Sequence, residues 1–106
     1  MTADVRRTVD ECKARLAAHY GVKLRGVVLY GSTARGEDTA ESDIDLLVLL
    51  EEPFDFFREL DAIIDVLLDV QIQAKRYISA RPAEESRYRN GTIQLYRNAM
   101  EEGLPL

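Results

Sequence analysis

The sequence is poor in the residue types that stabilise secreted proteins and zinc-binding proteins. It contains one cysteine, Cys12, and one histidine, His19, among 106 residues. A single cysteine excludes an internal disulfide and is typical of a reducing compartment, so we expect a cytoplasmic protein. Cys12 falls in the helical register of Val5, Val9 and Leu16, which predicts a core position rather than a reactive thiol. His19 is interpreted as an ordinary helix residue.

Long apolar stretches are also missing. No apolar run approaches the roughly 20 residues that a membrane-spanning helix needs. Residues 4–11 carry many charges and lack the apolar core of a signal peptide. The chain is nevertheless 46% hydrophobic and 31% charged, which is typical of globular proteins. We therefore expect residues 1–106 to form one small domain with no membrane contact.

The chain has fewer basic than acidic side chains, and the two kinds are unevenly distributed along the sequence. The formal net charge of −5 argues against a general nucleic-acid-binding protein. Residues 37–69 contain twelve acidic side chains and one basic side chain, whereas residues 71–100 contain six basic and two acidic side chains. The acidic centre suits a cation. The basic part either contacts phosphate, RNA or an acidic partner, or is a solvated surface.

Apolar periodicity predicts an alternation of helices and strands. The first helix has its N-cap at Thr2 and its stop at Gly21, and the strand after residue 43 carries the strongest apolar signal. Near the end, a turn at Arg81-Pro82 leads to helical segments that close at Gly103. The predicted elements are a helix over 3–20, strands over 24–30, 43–50 and 67–76, and a short helix or turn over 32–36. A further helix is predicted to open at Pro53, with an apolar side formed by Phe54, Phe57, Leu60 and Ile64.

The segment GSTARGEDTAESDID, residues 31–45, lies between two of these apolar strands. Gly31 allows a tight turn and a close approach of a ligand to the backbone. The helical turn that begins at Ser32 has free N–H groups, which can bind an anion. The Ser32 hydroxyl and the Arg35 guanidinium can add hydrogen bonds to a phosphate oxygen. This half of the segment predicts a nucleotide-binding turn for phosphate groups.

Asp43 and Asp45 close the same segment. Side chains two residues apart in a strand share a face and stand about 7 Å apart at Cα. Two carboxylates this close repel each other unless a divalent cation neutralises them. Oxygen ligands without histidine or cysteine favour Mg²⁺ or Mn²⁺ over zinc. Together, the turn and the aspartates predict a site for a metal-bound nucleoside triphosphate.

The residues of this segment resemble the signature of the DNA polymerase β-like nucleotidyltransferase superfamily. The stretches GSTARG and SDIDLLV are similar to the minimal nucleotidyltransferases, and the resemblance extends from about Leu24 to Leu106. It implies an α+β, two-layer fold like the polymerase β palm, with a small mixed sheet and helices mainly on one face. It also implies that Gly31 and Ser32 hold the triphosphate of ATP. Asp43 and Asp45 would then ligate two Mg²⁺ ions, with Mn²⁺ as a substitute.

The resemblance further implies a third catalytic, metal-binding carboxylate on a neighbouring strand. We assign this carboxylate to Asp69, because Asp69, Gln71 and Gln73 share the polar face of the strand predicted over residues 67–76. Asp65 has the same parity as Asp69 and stays open as the alternative. Asp65 fits better as the end of the preceding helix.

Partners follow from the same resemblance. Many minimal nucleotidyltransferases are encoded beside a HEPN-domain ribonuclease toxin, which implies an antitoxin that transfers AMP from ATP to a protein hydroxyl, with a toxin tyrosine as acceptor. Either a hetero-oligomer with the toxin or a homodimer is expected. Two alternatives stay open: an antitoxin that acts by binding alone, and a nucleotidyltransferase for a small molecule or an RNA end.

The surface that meets a partner is predicted from residue types that are common in interfaces. Arginine and tyrosine are enriched among interface anchors. The alternative is that the two tyrosines pack against the sheet and the arginines are solvated. The candidate residues are Arg87, Tyr88, Arg89, Tyr96 and Arg97.

Overall fold

A mixed four-stranded sheet forms the centre of the protein. The computed structural model describes all residues 1–106. The sheet order is β3-β2-β1-β4, in which β2 is antiparallel to β1 and parallel to β3, and β4 is antiparallel to β1. The strands are β1 Leu24–Tyr30, β2 Ile44–Leu50, β3 Ile78–Glu84 and β4 Leu104–Pro105.

Six helices cover the two faces of this sheet. They are α1 Ala3–Tyr20, α2 Gly31–Arg35, α3 Phe56–Val66, α4 Leu68–Gln73, α5 Glu85–Arg89 and α6 Gln94–Glu102. The buried residues of α1, α3 and α4 pack on the face that carries Leu46 and Val48. The buried residues of α5 and α6 pack on the opposite face, with Leu47 and Leu49. The predicted fold class is confirmed, and no helix is long and apolar enough to cross a membrane.

The first helix follows its sequence signals closely. The Thr2 hydroxyl accepts a hydrogen bond from the Val5 N–H at 3.2 Å, and the helix ends at Gly21, whose φ is 58°. Its buried residues include Cys12, which is fully inaccessible to solvent. Burial, and then the charge of Glu11, raise the pKa of the Cys12 thiol to about 12. The thiol therefore stays protonated at neutral pH, and its predicted core position is confirmed.

The strand predicted over residues 67–76 is wrong, because this stretch forms α4. The buried residues Ile63, Leu67 and Val70 have helical spacing, and they continue the buried stripe of α3. Leu68 and Ile72, which the strand prediction turned inward, are 51% and 73% exposed. The alternation of apolar residues in this stretch therefore does not reflect the two faces of a strand.

The third strand begins later in the chain, in the stretch that was predicted as a turn at Arg81-Pro82. The carbonyl of Tyr77 accepts a hydrogen bond from the Ile44 N–H at 2.9 Å, so the backbone polar groups of Tyr77 and of every second residue after it face β2. The backbone polar groups of the residues between them, which include Ile78 and Pro82, point away from β2. Because β3 lies at the sheet edge, Pro82 loses no hydrogen bond to the sheet there.

The helix predicted to open at Pro53 begins three residues later, after Asp55. The Asp55 carboxylate caps α3 by accepting a hydrogen bond from the Arg58 N–H at 3.1 Å. The predicted apolar side is also displaced, because Phe57 is 74% exposed and the buried residue of this helix is Ile63. The apolar arc of α3 is thus wider than the part that the sheet covers.

The register of α3 can be tested with two neighbouring isoleucines. Ile63 is fully buried and Ile64 is 54% exposed. We expect Ile63→Ala to lower the free energy of unfolding by about 2–5 kcal/mol, because it leaves a cavity. Ile64→Ala, with the same atoms removed, should cost less than about 1 kcal/mol. Urea unfolding measures both, and equal losses would contradict the buried stripe.

Candidate active site

The two ends of the segment 31–45 meet in space. Antiparallel pairing of β1 with β2 sets Tyr30 opposite Asp45. Directly after Tyr30 the chain turns into α2 at Gly31, whose φ is 75°. A Cβ atom on Gly31 would lie only 2.5 Å from Asp45 Oδ2. Glycine is therefore needed here for two reasons, the left-handed backbone and the carboxylate beside it.

The short helix α2 also holds the backbone of the other aspartate. Thr33 is 3% exposed, and its hydroxyl donates a hydrogen bond to the Asp43 carbonyl at 3.2 Å. Its neighbour Ser32 is half-buried and lies in the turn that follows β1. The turn predicted to hold phosphate and the strand predicted to hold a cation are thus joined by a partly buried hydrogen bond.

The electrostatics of the aspartate pair favour a cation. Burial, and then the negative charge of Asp43, raise the pKa of Asp45 above its ordinary value, while Arg81 opposes this shift. The negative charge of Asp43 disfavours a second negative charge on Asp45, and a bound positive ion would offset this repulsion. Their oxygen atoms are the ligands that a hard cation such as Mg²⁺ prefers. These residues fit one divalent ion.

The neighbouring strand β3 contributes no aspartate to this site. Parallel pairing places Ser79 beside Asp45 and Arg81 beside Leu47. Paired residues of adjacent strands project to the same face, so Ser79 and Arg81 lie on the face of Asp45. No group of three or more acidic, histidine or cysteine side chains is arranged to hold a metal ion. At the aspartate pair the chain offers two carboxylates.

Asp69 does not join the aspartate pair. It lies on α4, and its side chain is 70% exposed and forms an ion pair with Arg15 of α1 at 3.1 Å. Both helices pack against the face opposite to Asp45. Asp65, the alternative, is an exposed residue of α3 on that same side of the sheet. The assignment of Asp69 depended on the strand over residues 67–76, which is wrong, and the geometry does not support it.

Arg35 is held by two carboxylates. Its Nε donates to Glu37 and its Nη1 donates to Glu102 of α6, each at 3.4 Å. The guanidinium thus links the end of α2 to the end of α6. A contact with phosphate would have to replace these exposed ion pairs, each of which contributes about 1 kcal/mol or less. The role of Arg35 in nucleotide binding stays a prediction.

A partly buried ion pair holds the loop that leads into Asp43. The Arg76 guanidinium donates a hydrogen bond to the Asp38 carboxylate at 2.7 Å, and the two side chains are only 11% and 17% exposed. This hydrogen bond lowers the pKa of Asp38 below its ordinary value. The ion pair ties the loop between α2 and β2 to the residues just before β3. The loop is therefore held at both ends and in its middle.

Sequence reasoning missed Thr33, Ser79, Arg81 and the ion pair of the loop. For Ser79, Arg81 and the ion pair, the sequence does carry one signal. The helical spacing of Ile63, Leu67 and Val70 indicates that the helix continues through this stretch, so the third strand can begin only after Arg76. That assignment would have placed Ser79, rather than Asp69, beside the aspartates. Thr33 has no comparable signal, since its burial depends on the packing of α2 against the sheet.

The basic C-terminal stretch packs against the sheet. Tyr88 is buried against Leu47 and Leu49, and its ring meets that of Tyr96 edge to face at 5.9 Å between centroids. The arginines have partners within the chain: Arg87 pairs with Glu84, Arg89 with Glu85, and Arg97 donates to the Gly91 carbonyl. Tyr88 therefore packs against the sheet, as one of the two interpretations predicts, whereas an interface role for the exposed arginines stays a prediction.

The contact at Gly31 can be tested against a glycine with the same backbone. Gly31 and Gly36 have φ of 75° and 73°, but a Cβ on Gly36 would meet no atom within 4 Å. Both Gly31→Ala and Gly36→Ala should lose about 1–2 kcal/mol of stability from left-handed strain. Only Gly31→Ala should also displace the Asp45 carboxylate and weaken binding of an ATP analogue with Mg²⁺, by about tenfold or more. Calorimetric titration measures this, and equal affinities would contradict the contact.

The burial of Asp45, together with its repulsion by Asp43, predicts a pH-dependent stability. Because the pKa of Asp45 is raised on folding, its ionisation destabilises the fold as pH rises through the folded-state pKa. Asp45→Asn should raise Tm at pH 7 by about 2–5 °C, and the gain should disappear as pH falls toward the unfolded-state pKa.

Calorimetric melting of both proteins across this pH range measures the effect. Asp61→Asn, which changes an exposed aspartate of α3, is the matched control and should show no such gain. Excess Mg²⁺ should raise the Tm of the unmodified protein more than that of Asp45→Asn. A lower Tm for Asp45→Asn at pH 7 would contradict the raised pKa of Asp45.

Comparison with known proteins identifies the family of the chain. The family model described as a nucleotidyltransferase domain matches residues 6–99. A candidate protein adenylyltransferase of Methanocaldococcus jannaschii is 29% identical over 97 residues, which is 92% of each chain. A second candidate protein adenylyltransferase of that organism is 33% identical over 75 residues, 62% of this chain and 75% of its own.

Solved structures show the same fold. A toxin–antitoxin complex crystallised with AMP-PNP superposes with a TM-score of 0.59 over 91% of this chain and 70% of its own, at 19% identity. A candidate minimal nucleotidyltransferase superposes with a TM-score of 0.51 at 27% identity, over 100% of this chain and 97% of its own. The predicted resemblance is confirmed. The family model covers nearly the whole chain, and the chain belongs to the nucleotidyltransferase domain family and is a nucleotidyltransferase.

Proposed function

We propose that this protein transfers AMP from ATP to a hydroxyl group of a protein partner, and that the acceptor is a tyrosine of a HEPN-domain ribonuclease toxin. The protein would act as the antitoxin of that partner. Two relatives are candidate protein adenylyltransferases, and one structural neighbour is a toxin–antitoxin complex with an ATP analogue. The observation that carries the proposal is the contact of the Gly31 turn with the Asp45 carboxylate.

In this proposal the chain supplies binding and orientation. The backbone at Gly31 and the Ser32 hydroxyl hold the triphosphate, since a backbone without a side chain allows the phosphates to approach closely. Asp43 and Asp45 hold Mg²⁺, which neutralises the charge of the triphosphate when it is bound. Thr33 fixes the Asp43 backbone relative to the turn, so the triphosphate and the aspartates keep one relative position.

The transfer exchanges one phosphorus–oxygen bond for another. The acceptor oxygen forms a bond to the α-phosphorus, the bond from this phosphorus to the oxygen that bridges to the β-phosphate breaks, and pyrophosphate leaves. The acceptor hydroxyl must lose its proton. Because β3 places Ser79 beside Asp45, the carboxylates available on this chain as proton acceptors are those of Asp43 and Asp45. AMP stays attached to the partner.

A second candidate function is neutralisation of the partner by binding alone. The observation that favours it is Ser79, which stands on the strand where the resemblance implies a third carboxylate. A serine hydroxyl does not carry the negative charge that a second metal ion needs. The Gly31 turn and the aspartates would then serve nucleotide binding without transfer.

The proposal predicts separable effects of three aspartates. Asp43→Asn combined with Asp45→Asn should abolish transfer of AMP while the fold is kept, because removal of repelling charges rarely unfolds a domain. Asp69→Asn, which changes an exposed aspartate on the opposite face, is the matched control and should keep at least about half of the transfer rate. Mass spectrometry of a HEPN-domain partner after incubation with ATP and Mg²⁺ measures the transfer, with Mg²⁺ chelated in a parallel sample.

The ribonuclease activity of the same partner separates the two candidate functions. If the double variant no longer modifies the partner but still inhibits it, inhibition is by binding. If the double variant loses both modification and inhibition while Asp69→Asn keeps both, AMP transfer is the function. Full transfer by the double variant would contradict the assignment of the aspartates.

A further inference from the structure

Arg81 is a positively charged residue on the face of the sheet that carries the aspartate pair. Parallel pairing of β2 with β3 sets Arg81 beside Leu47, whereas Ser79 lies beside Asp45. The Cα atoms of Arg81 and Asp45 are therefore about 8 Å apart, a distance that an extended arginine side chain can span. The register of the two strands thus fixes a basic residue next to the predicted cation site.

The charge of Arg81 acts on two groups of this face. Burial, and then the charge of Asp43, raise the pKa of Asp45, and Arg81 works against this rise. Burial also raises the pKa of Tyr30, which β1 sets opposite Asp45, and Arg81 again acts in the opposite direction. A guanidinium that influences residues of both β1 and β2 lies close enough to the aspartate pair to contact a ligand that the pair binds.

Arg81 has no partner within the chain. Arg35 is held by two carboxylates and Arg76 by one. Arg81, in contrast, forms no ion pair and donates no side-chain hydrogen bond. An arginine side chain has only donors and keeps its charge at any physiological pH. All N–H donors of Arg81 are therefore available to an anion.

A bound triphosphate brings more negative charge to the site than one divalent ion neutralises. Two ionised carboxylates already balance one such ion, so the charge of the phosphates remains. Ser79, the residue that β3 sets beside Asp45, is neutral and does not add the carboxylate that a second ion needs. Positive groups that contact the transferred phosphoryl group promote phosphoryl transfer. Arg81 supplies such a charge on this face without a second ion.

The order of the strands indicates which phosphate Arg81 can reach. The turn at Gly31 follows β1, Asp45 lies on β2, and Arg81 lies on β3. Because β2 is the middle strand of these three, the turn and Arg81 lie on opposite sides of Asp45. A nucleotide with its terminal phosphates at the turn extends its α-phosphate across the aspartates toward β3. The α-phosphate, which is the group that is transferred, therefore faces Arg81.

We propose that Arg81 is a catalytic residue that binds the non-bridging oxygens of the α-phosphate and replaces a second cation. This inference rests on the proposed function for the position of the terminal phosphates at the Gly31 turn. The planar guanidinium presents paired N–H donors that match two phosphate oxygens. Arg81 takes no proton and forms no covalent bond. It stabilises the negative charge of the α-phosphoryl group while the acceptor oxygen attacks and pyrophosphate leaves.

Two ligands that differ in the α-phosphate test this contact without an acceptor. AMP-PNP contains the α-phosphate, and imidodiphosphate, its terminal part, lacks it. We expect Arg81→Ala to weaken binding of AMP-PNP with Mg²⁺ by about tenfold or more, because hydrogen bonds to a charged group are lost. Binding of imidodiphosphate with Mg²⁺ should change by less than about twofold. Ser32→Ala should weaken both ligands, and calorimetric titration measures all four affinities.

Three controls separate this contact from a general effect of charge. Mn²⁺ alone should bind Arg81→Ala at least as tightly as the unmodified protein, because a positive charge beside the aspartates is removed. Weaker nucleotide binding then cannot result from a lost metal ion. Arg81→Lys keeps the charge without the planar fork and should restore only part of the affinity. Arg58→Ala removes an exposed arginine of α3, on the other face of the sheet, and should have no effect.

The transfer of AMP to the partner gives a second measurement. Arg81→Ala should lower kcat by about a hundredfold, the usual loss when one donor to a developing charge is removed, with little change in KM for the partner. Free guanidinium ions should restore part of this kcat. They should not restore transfer to Asp43→Asn combined with Asp45→Asn, which lacks the metal ligands rather than a cation.

The proposal is overturned if Arg81→Ala binds AMP-PNP as the unmodified protein does, if it weakens AMP-PNP and imidodiphosphate equally, or if it transfers AMP at the full rate. The proposed function fails in a different way. If the unmodified protein transfers no AMP to the partner, but Arg81→Ala still weakens AMP-PNP selectively, the proposed acceptor is wrong and the assignment of Arg81 to the α-phosphate stands.

Discussion

The pairing of β1 with β2 is the constraint on which the rest of the structure depends. It sets Tyr30 opposite Asp45, and so it places the turn at Gly31 against a carboxylate that is fourteen residues away in sequence. The other strands add to the two sides of this hairpin, β3 beside β2 and β4 beside β1. A register shift of one residue would turn Asp45 toward the face covered by α1 and α3, where its charge would have no partner.

Much of this arrangement follows from local sequence signals. The bounds of α1 follow from the Thr2 cap and from Gly21, and β1 and β2 follow from uninterrupted apolar runs. Such signals are strong because they depend on neighbouring residues only. The meeting of the Gly31 turn and the aspartates could also be expected, since two strands joined by a polar loop commonly pair. The carboxylate contact at Gly31 and the burial of Thr33 could not, because both depend on atomic distances between elements.

The second half of the chain shows where local signals are ambiguous. Residues 68–74 alternate in polarity, as the residues of a strand do. The buried residues Ile63, Leu67 and Val70, however, have helical spacing that continues from α3 into α4. Pro82 is typical of a turn, yet a proline is also tolerated in a strand whose outer edge is free. Whether β3 is an edge strand is decided by the whole sheet. The error in strand position carried directly into the choice of Asp69 and the omission of Ser79.

The ion pair between Asp38 and Arg76 gives the loop before Asp43 a property that surface pairs lack. Mobile ions screen charges that are in contact with water, over a distance of about 8 Å at physiological ionic strength. The Arg15–Asp69 pair is open to such screening, whereas Asp38 and Arg76 are largely withdrawn from it. High salt should therefore loosen the contact between α1 and α4 well before it loosens the loop that carries Asp43. A change in ionic strength should therefore alter the contact between α1 and α4 while the position of Asp43 stays the same.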